Sequence, residues 1–150
     1  MRKVLSLFLA ISFLFIMILP GSATENENII FYDQYTTKDG ITVTCELIEH
    51  PQMRSNTKGY TYRRSFEKDN TVIGAIAIHG SFQYDGNTVS VVSKSVTQTN
   101  TYDGWKYKQN SFTSSGGTIT LDAKLTKLLV MNIPFTMTLS CDKNGNISYT

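Results

Sequence analysis

Alternation of apolar and polar positions dominates the chain beyond its first two dozen residues. Ile41, Val43, Cys45 and Leu47 alternate with Thr42, Thr44 and Glu46. Tyr60, Tyr62, Arg64 and Phe66 alternate with Thr61, Arg63 and Ser65. Ile119, Leu121, Ala123 and Leu125 interleave with Thr118, Thr120, Asp122, Lys124 and Thr126, and Phe135, Met137, Leu139 and Cys141 with Thr136, Thr138 and Ser140. A period of two predicts strands with one wet face, as in antiparallel sheets.

The stretch from Val72 to Tyr84 is different. Val72, Ile76, Ile78, Phe82 and Tyr84 predict one apolar face, and the other carries Ile73, Ala75, Ala77, His79, Ser81 and Gln83. It holds no charge, and its second face is small, which predicts an interior strand closely packed on that second side. Asp85-Gly86-Asn87 predicts a hairpin turn, because Asp-Gly supplies the positive φ that tight hairpins need. The return strand runs from Thr88 to Thr99, and the Val91-Val92 doublet breaks its alternation as a β-bulge would. Ile29 to Tyr35 and Tyr102 to Phe112 are weaker strands. Ser114-Ser115-Gly116-Gly117 predicts a loop, Leu128 to Pro134 a link, Asp142 to Asn146 a turn, and Ile147 to Thr150 a short edge. About seven to nine short strands joined by turn signals predict an all-β, antiparallel β-sandwich or partly open barrel.

The first residues follow another logic. Arg2 and Lys3 precede an uncharged run from Val4 to Leu19, and Pro20-Gly21-Ser22-Ala23 follows with small side chains at the positions of a cut after Ala23. This is the layout of a secretory signal. The expected division is a signal peptide over 1–23 and a single β domain over 24–150. The expected location is secreted or extracellular, with membrane contact only through the signal segment.

The chain has 14 Lys and Arg against 12 Asp and Glu. Arg2 and Lys3 account for the excess, so residues 24–150 are formally neutral. A neutral domain has no long-range field to gather nucleic acid, and no nucleic-acid partner is expected. The only cysteines are Cys45 and Cys141, which outside the cytosol are expected to form a disulfide, each lying on the apolar face of its strand. His50 and His79 show no ligand-like spacing to them, so neither a metal site nor a cofactor is expected.

Ser81 to Gly86, the Gly104-Trp105-Lys106 segment and the ending from Leu139 to Ser148 together resemble small secreted β-rich proteins of Gram-positive bacteria grouped as domains of unknown function. The resemblance implies compartment and fold and carries no activity and no functional residues.

Candidate chemistry is sparse. Cys45 and His50 are separated by an odd offset, which puts them on opposite faces of one strand and separates thiol from base. Gly80-Ser81 lies inside a strand, without the sharp turn that exposes a hydrolase serine. Glu46 and Asp122 fall on wet faces. Asp142, Asn144 and Asn146 alternate as in calcium loops, but Gly145 is misplaced for one, and an Asn-Gly turn is the simpler reading. Asn146-Ile147-Ser148 matches a glycosylation acceptor.

The most suggestive segment is Tyr102-Asp103-Gly104-Trp105-Lys106-Tyr107-Lys108. Trp105 and Tyr107 share one strand face, with Lys106 and Lys108 on the other. Tyr102, Trp105 and Tyr107 are therefore the candidate ligand contacts, with a glycan or a peptide as the candidate ligand. The competing reading makes Trp105 and Tyr107 ordinary core. At the level of function, three readings stand side by side: a secreted non-enzymatic binding or surface-associated module, a small secreted hydrolase, and a self-associating structural component. A binding module is expected to show aromatics in a groove, an enzyme a His-centred or carboxylate site, and a structural component an uncovered edge strand.

Overall fold

The computed structural model describes residues 27–54, 56–99, 102, 104–128 and 131–150. The expected signal segment over 1–23 lies outside the described residues. All described elements are strands: β1 (Asn28–Thr36), β2 (Ile41–Arg54), β3 (Thr57–Lys68), β4 (Thr71–Tyr84), β5 (Val89–Thr99), β6 (Trp105–Ser115), β7 (Thr118–Lys127), β8 (Met131–Cys141) and β9 (Ile147–Tyr149). They form two antiparallel meanders, a five-stranded sheet in the order β1-β2-β3-β4-β5 and a four-stranded sheet in the order β6-β7-β8-β9. The sheets do not close into a barrel. They face each other as a β-sandwich, and among the described strands the only step in chain order from one sheet to the other is from β5 to β6.

The apolar faces read from the alternation form the interior. Ile41, Val43 and Leu47 of β2, Tyr60, Tyr62 and Phe66 of β3, and Ile76, Ile78 and Phe82 of β4 are buried against Ile119, Leu121, Ala123 and Leu125 of β7 and Phe135, Met137 and Leu139 of β8. Arg64 shares this face, as its parity requires. Its Nε donates to Tyr62 Oη at 2.9 Å and its Nη1 to the Thr136 carbonyl of the opposite sheet at 3.0 Å.

The expected bulge is present: Ser81 pairs with Ser93 but Phe82 with Val91, leaving Val92 as the extra residue, 57% exposed. A second bulge changes the reading of β4. Phe66 pairs with Gly74 and Glu67 with Val72, so Ile73 is the inserted residue. One extra residue reverses the phase of alternation. Val72 is therefore exposed and Ile73 buried, the reverse of the pattern expectation.

The close packing foreseen for β4 falls on its other face. Ala75 and Ala77 point away from the second sheet, whereas a Cβ on Gly80 would stand 2.6 Å from Ile119 Cδ1 and one on Gly74 3.1 Å from Leu125 Cδ1. β2 is also longer than the alternation from Ile41 to Leu47 predicts, at 14 residues, whereas β4 over Thr71–Tyr84 matches its expected span within one residue. Pro134 sits within β8 opposite Lys124, at a level that β9 does not reach, so its missing N–H breaks no ladder. The Asp142 carboxylate accepts from the backbone N–H groups of Asn144 and Asn146 and from Asn146 Nδ2, all at 2.8 Å, which makes it the organiser of its own turn.

The expected Cys45–Cys141 disulfide is not formed: both cysteines are buried and free. The physical reason is register. Cys45 lies opposite Arg64 on β3 and neighbours Tyr62 and Tyr149. Cys141 neighbours Tyr60 and Lys58, farther along the same strand. Tyr149 is paired with Leu139, not with Cys141, and its ring, 5.4 Å from that of Tyr62, fills the level at which Cys45 sits. The apolar faces are right, but the two stations differ, and a bridge needs Cα atoms within about 7 Å. Burial, and then the Asp142 carboxylate, push the Cys141 thiol up, which keeps it protonated and unreactive. Denatured but unreduced protein is therefore expected to titrate with two free thiols, and its melting midpoint to be indifferent to reductant. A titration that finds none overturns this arrangement.

Candidate functional site

At the end of the sandwich where β3 turns into β4, the two sheets part into a cleft of about 460 Å³ lined by Lys68, Asp69, Ile73, Trp105, Lys127 and Met131, with Tyr102, Leu128 and Thr71 at its margin. This lies within the ~300–1,000 Å³ usual for small-molecule sites. The β3–β4 turn is a two-residue hairpin with φ of 50° at Asp69 and 59° at Asn70, the geometry that matches the twist of the flanking strands. From the other sheet, Gly104 at φ 79° turns the chain into β6, with the Trp105 N–H donating to the Tyr102 carbonyl at 3.0 Å. The Lys127 stem lies 3.7 Å from where a Gly104 side chain would begin. A side chain there would strain the turn and displace the lysine.

The three aromatic candidates separate. Trp105 is 5% exposed and belongs to the core while also lining the cleft. Tyr107 shares its face, as the alternation requires, and is half-buried against the core, its hydroxyl donating to Gln109 Oε1 at 3.3 Å. Tyr102 is 58% exposed at the cleft mouth. Trp105 and Tyr102 meet at the cleft; Tyr107 is not among its lining residues. The sequence pattern did not mark Lys68, Asp69, Lys127 and Met131. Lys68 Nζ donates to the Met131 thioether at 3.4 Å. Neither Lys68 nor Lys127 forms an ion pair among the described residues. A thioether is a weak acceptor, so the ammonium retains unspent donor capacity toward the cleft.

A second constellation crosses the outward face of the five-stranded sheet. His50 of β2 places Nε2 2.6 Å from Thr61 Oγ1 of β3. The same oxygen lies 2.7 Å from His79 Nδ1 of β4, and His79 Nε2 lies 2.8 Å from Thr97 Oγ1 of β5. Thr61 is the one buried polar side chain among the described residues. Its single hydrogen serves one imidazole, so the other ring must donate to it, and the tautomers of both rings are tied together. The face assignment that separates Cys45 from His50 holds. The proximity of His50 to His79 is invisible in sequence, because it depends on the register of three strands.

Comparison of the chain with protein families, curated proteins and solved structures finds no match. The site is therefore read from its own chemistry.

Burial, and then the neighbouring His50, hold the His79 pKa below the usual 6.5. A histidine whose folded pKa is depressed binds fewer protons folded than unfolded, so stability is intact above the unfolded value and is lost as pH falls below it. Urea midpoints are expected to decline from about pH 6.5 downward, and His79→Gln to flatten that decline. A decline equally steep in the variant excludes His79 as its source.

Proposed function

We propose that this protein is an exported, non-enzymatic binding module. Its cleft takes a small molecule or peptide end in which a ring or acyl chain lies next to an anionic group. The observation that carries the reading is the pairing of an apolar wall (Ile73, Met131 and Trp105) with two lysines that lack carboxylate partners among the described residues. Asp69, the one acid of the lining among the described residues, orients the occupant by repelling its anionic end toward the lysines. Of the two candidate ligands, a peptide suits this cleft better than a glycan. Stacking on a sugar ring uses an open aromatic face, and Trp105 is only 5% exposed.

The hydrolase reading would place its base at His79 with Thr97 as nucleophile. Thr97 lies within β5 rather than on a strained exposing turn, which disfavours that chemistry.

Anilinonaphthalene sulfonate, an aromatic anion of suitable size, tests the cleft. It is expected to quench Trp105 emission, with affinity falling roughly threefold to tenfold in Tyr102→Ala, the worth of one aromatic contact, and similarly in Lys127→Ala. Trp105 emission indifferent to the probe would sink the proposal. Export is tested separately by the mass of the secreted protein, which is expected to begin at Thr24. Recovery of the chain from Met1 in the membrane fraction would instead indicate an anchor.

A further inference from the structure

We propose that the outward face of the five-stranded sheet carries a second site, for a small oxyanion, seated over Gly59 between the His50–His79 pair and the hydroxyls of Ser81, Ser93 and Ser95. Occupation takes up one proton.

The seat exists because β3 has no side chain at its centre. Gly59 pairs with His50 on one side and with Ser81 on the other, and Ser81 pairs in turn with Ser93. A methyl on Gly59 would lie 3.4 Å from His50 Cβ, so the depression is the volume that any other residue would occupy. The resulting pocket measures about 260 Å³, is lined by both histidines, Thr57, Lys94 and the three serines among others, and includes no carboxylate among the described residues. None of the three serine hydroxyls is spent on a bond within the protein among the described residues, so each is free to donate to a guest. The site stands about 30 Å along β3 from the cleft near Lys68, given the rise of a strand, and is independent of it.

The relay supplies the charge. With both rings neutral, the chain His50–Thr61–His79–Thr97 runs in one direction and every hydrogen is used once. One added proton is accommodated without loss: His79 then donates from Nδ1 to Thr61 and from Nε2 to Thr97, while Thr61 turns its hydrogen to His50 Nε2. A second proton would place two imidazolium rings against one oxygen. The hydrogen bonds of the relay therefore have room for a single added proton, on His79. Burial makes that proton costly in the empty pocket, and an oxyanion beside it repays the cost. Anion binding and proton uptake must then favour each other reciprocally.

The other charged groups nearby are already engaged. Arg63, on the same face of β3, is bonded to Glu46 at 2.6 Å and Glu27 at 2.9 Å. Lys58 pairs with Glu49 at 3.7 Å. Lys94 of β5 itself lines the pocket and adds a fixed positive charge, while its Nζ donates to the Phe112 carbonyl and lies 4.8 Å from the Phe112 ring. This leaves His79 as the titrating charge of the pocket.

The test is calorimetric titration of inorganic sulfate into the whole protein at constant ionic strength, near pH 5.5 and near pH 7.5. Sulfate keeps one charge state across this window. Affinity is expected to fall roughly tenfold per pH unit above the titration of His79, and repeats in buffers of different ionisation heat are expected to report uptake of about one proton per sulfate. His79→Gln is expected to abolish both the pH dependence and the proton uptake. Gly59→Val fills the seat while keeping every hydrogen-bonding group of the relay, and is expected to abolish sulfate binding even if His79→Gln fails to fold. Lys127→Ala, in the cleft, is expected to bind sulfate as the native protein does, which separates this site from the other. Sulfate affinity equal at the two pH values, binding without proton uptake, or undiminished binding by Gly59→Val each overturns the proposal.

Discussion

The approach of the two sheets at Gly74 and Gly80 sets the architecture. Leu125 and Ile119 of β7 press against the bare backbone of β4 at these two positions, and a side chain there would force the sheets apart or the leucine and isoleucine out of their rotamers. Among the described residues only one chain crossing joins the meanders, so side-chain packing, aided by backbone bonds from Gly86 N–H to the Lys143 carbonyl at 2.8 Å and from Val91 N–H to the Gly116 carbonyl at 3.2 Å, holds the sandwich shut. Arg64 helps. A guanidinium in an apolar interface is expensive unless its donors are satisfied, and the Thr136 carbonyl across the interface accepts one of them. The same separation that is small at Gly80 widens toward the β3–β4 turn. There Ile73, inserted by the bulge, and Met131 diverge enough to leave the cleft.

Sequence periodicity predicted the strands and the faces well because each rests on local chemistry. A residue's face follows from its parity, and Asp85-Gly86 turns wherever it lies between strands. The failures are all of register or phase. Val72 and Ile73 exchange places because a bulge is an insertion with no signature of its own among β-branched residues. The Val91-Val92 bulge was readable because two bulky apolar residues in sequence cannot both face the core. Cys45 and Cys141 both point inward, as their parity requires, yet sit at different levels of β3. Parity says which way a thiol points but not how far along the sheet it stands.

The candidate sites show the same boundary. Tyr102 and Trp105 stood out in sequence as large aromatics beside a glycine turn, and both border the cleft. Lys68 and Lys127 looked like any lysine at a strand end; what distinguishes them is the lack of a carboxylate neighbour among the described residues, a property of space. His50, Thr61, His79 and Thr97 span 48 positions of chain and come together only because β2, β3, β4 and β5 are neighbours in order. Four unremarkable residues became a connected relay through pairing alone.

The two faces of the five-stranded sheet thus divide the work physically. The inward face tolerates no polar group without a dedicated partner, and accepts Arg64 on those terms. The outward face is polar, but Thr61 is buried there under the two imidazoles that bond it. A hydroxyl enclosed between two titratable rings is an unusual way to cover an outer face, since a threonine open to water needs no such arrangement. The arrangement makes the protonation of His79 depend on what lies beside it, and beside it lies Gly59, the one residue of β3 in that row with no side chain to offer. A depression flanked by a relay that takes a single proton is where a small negative group meets the least resistance on this surface.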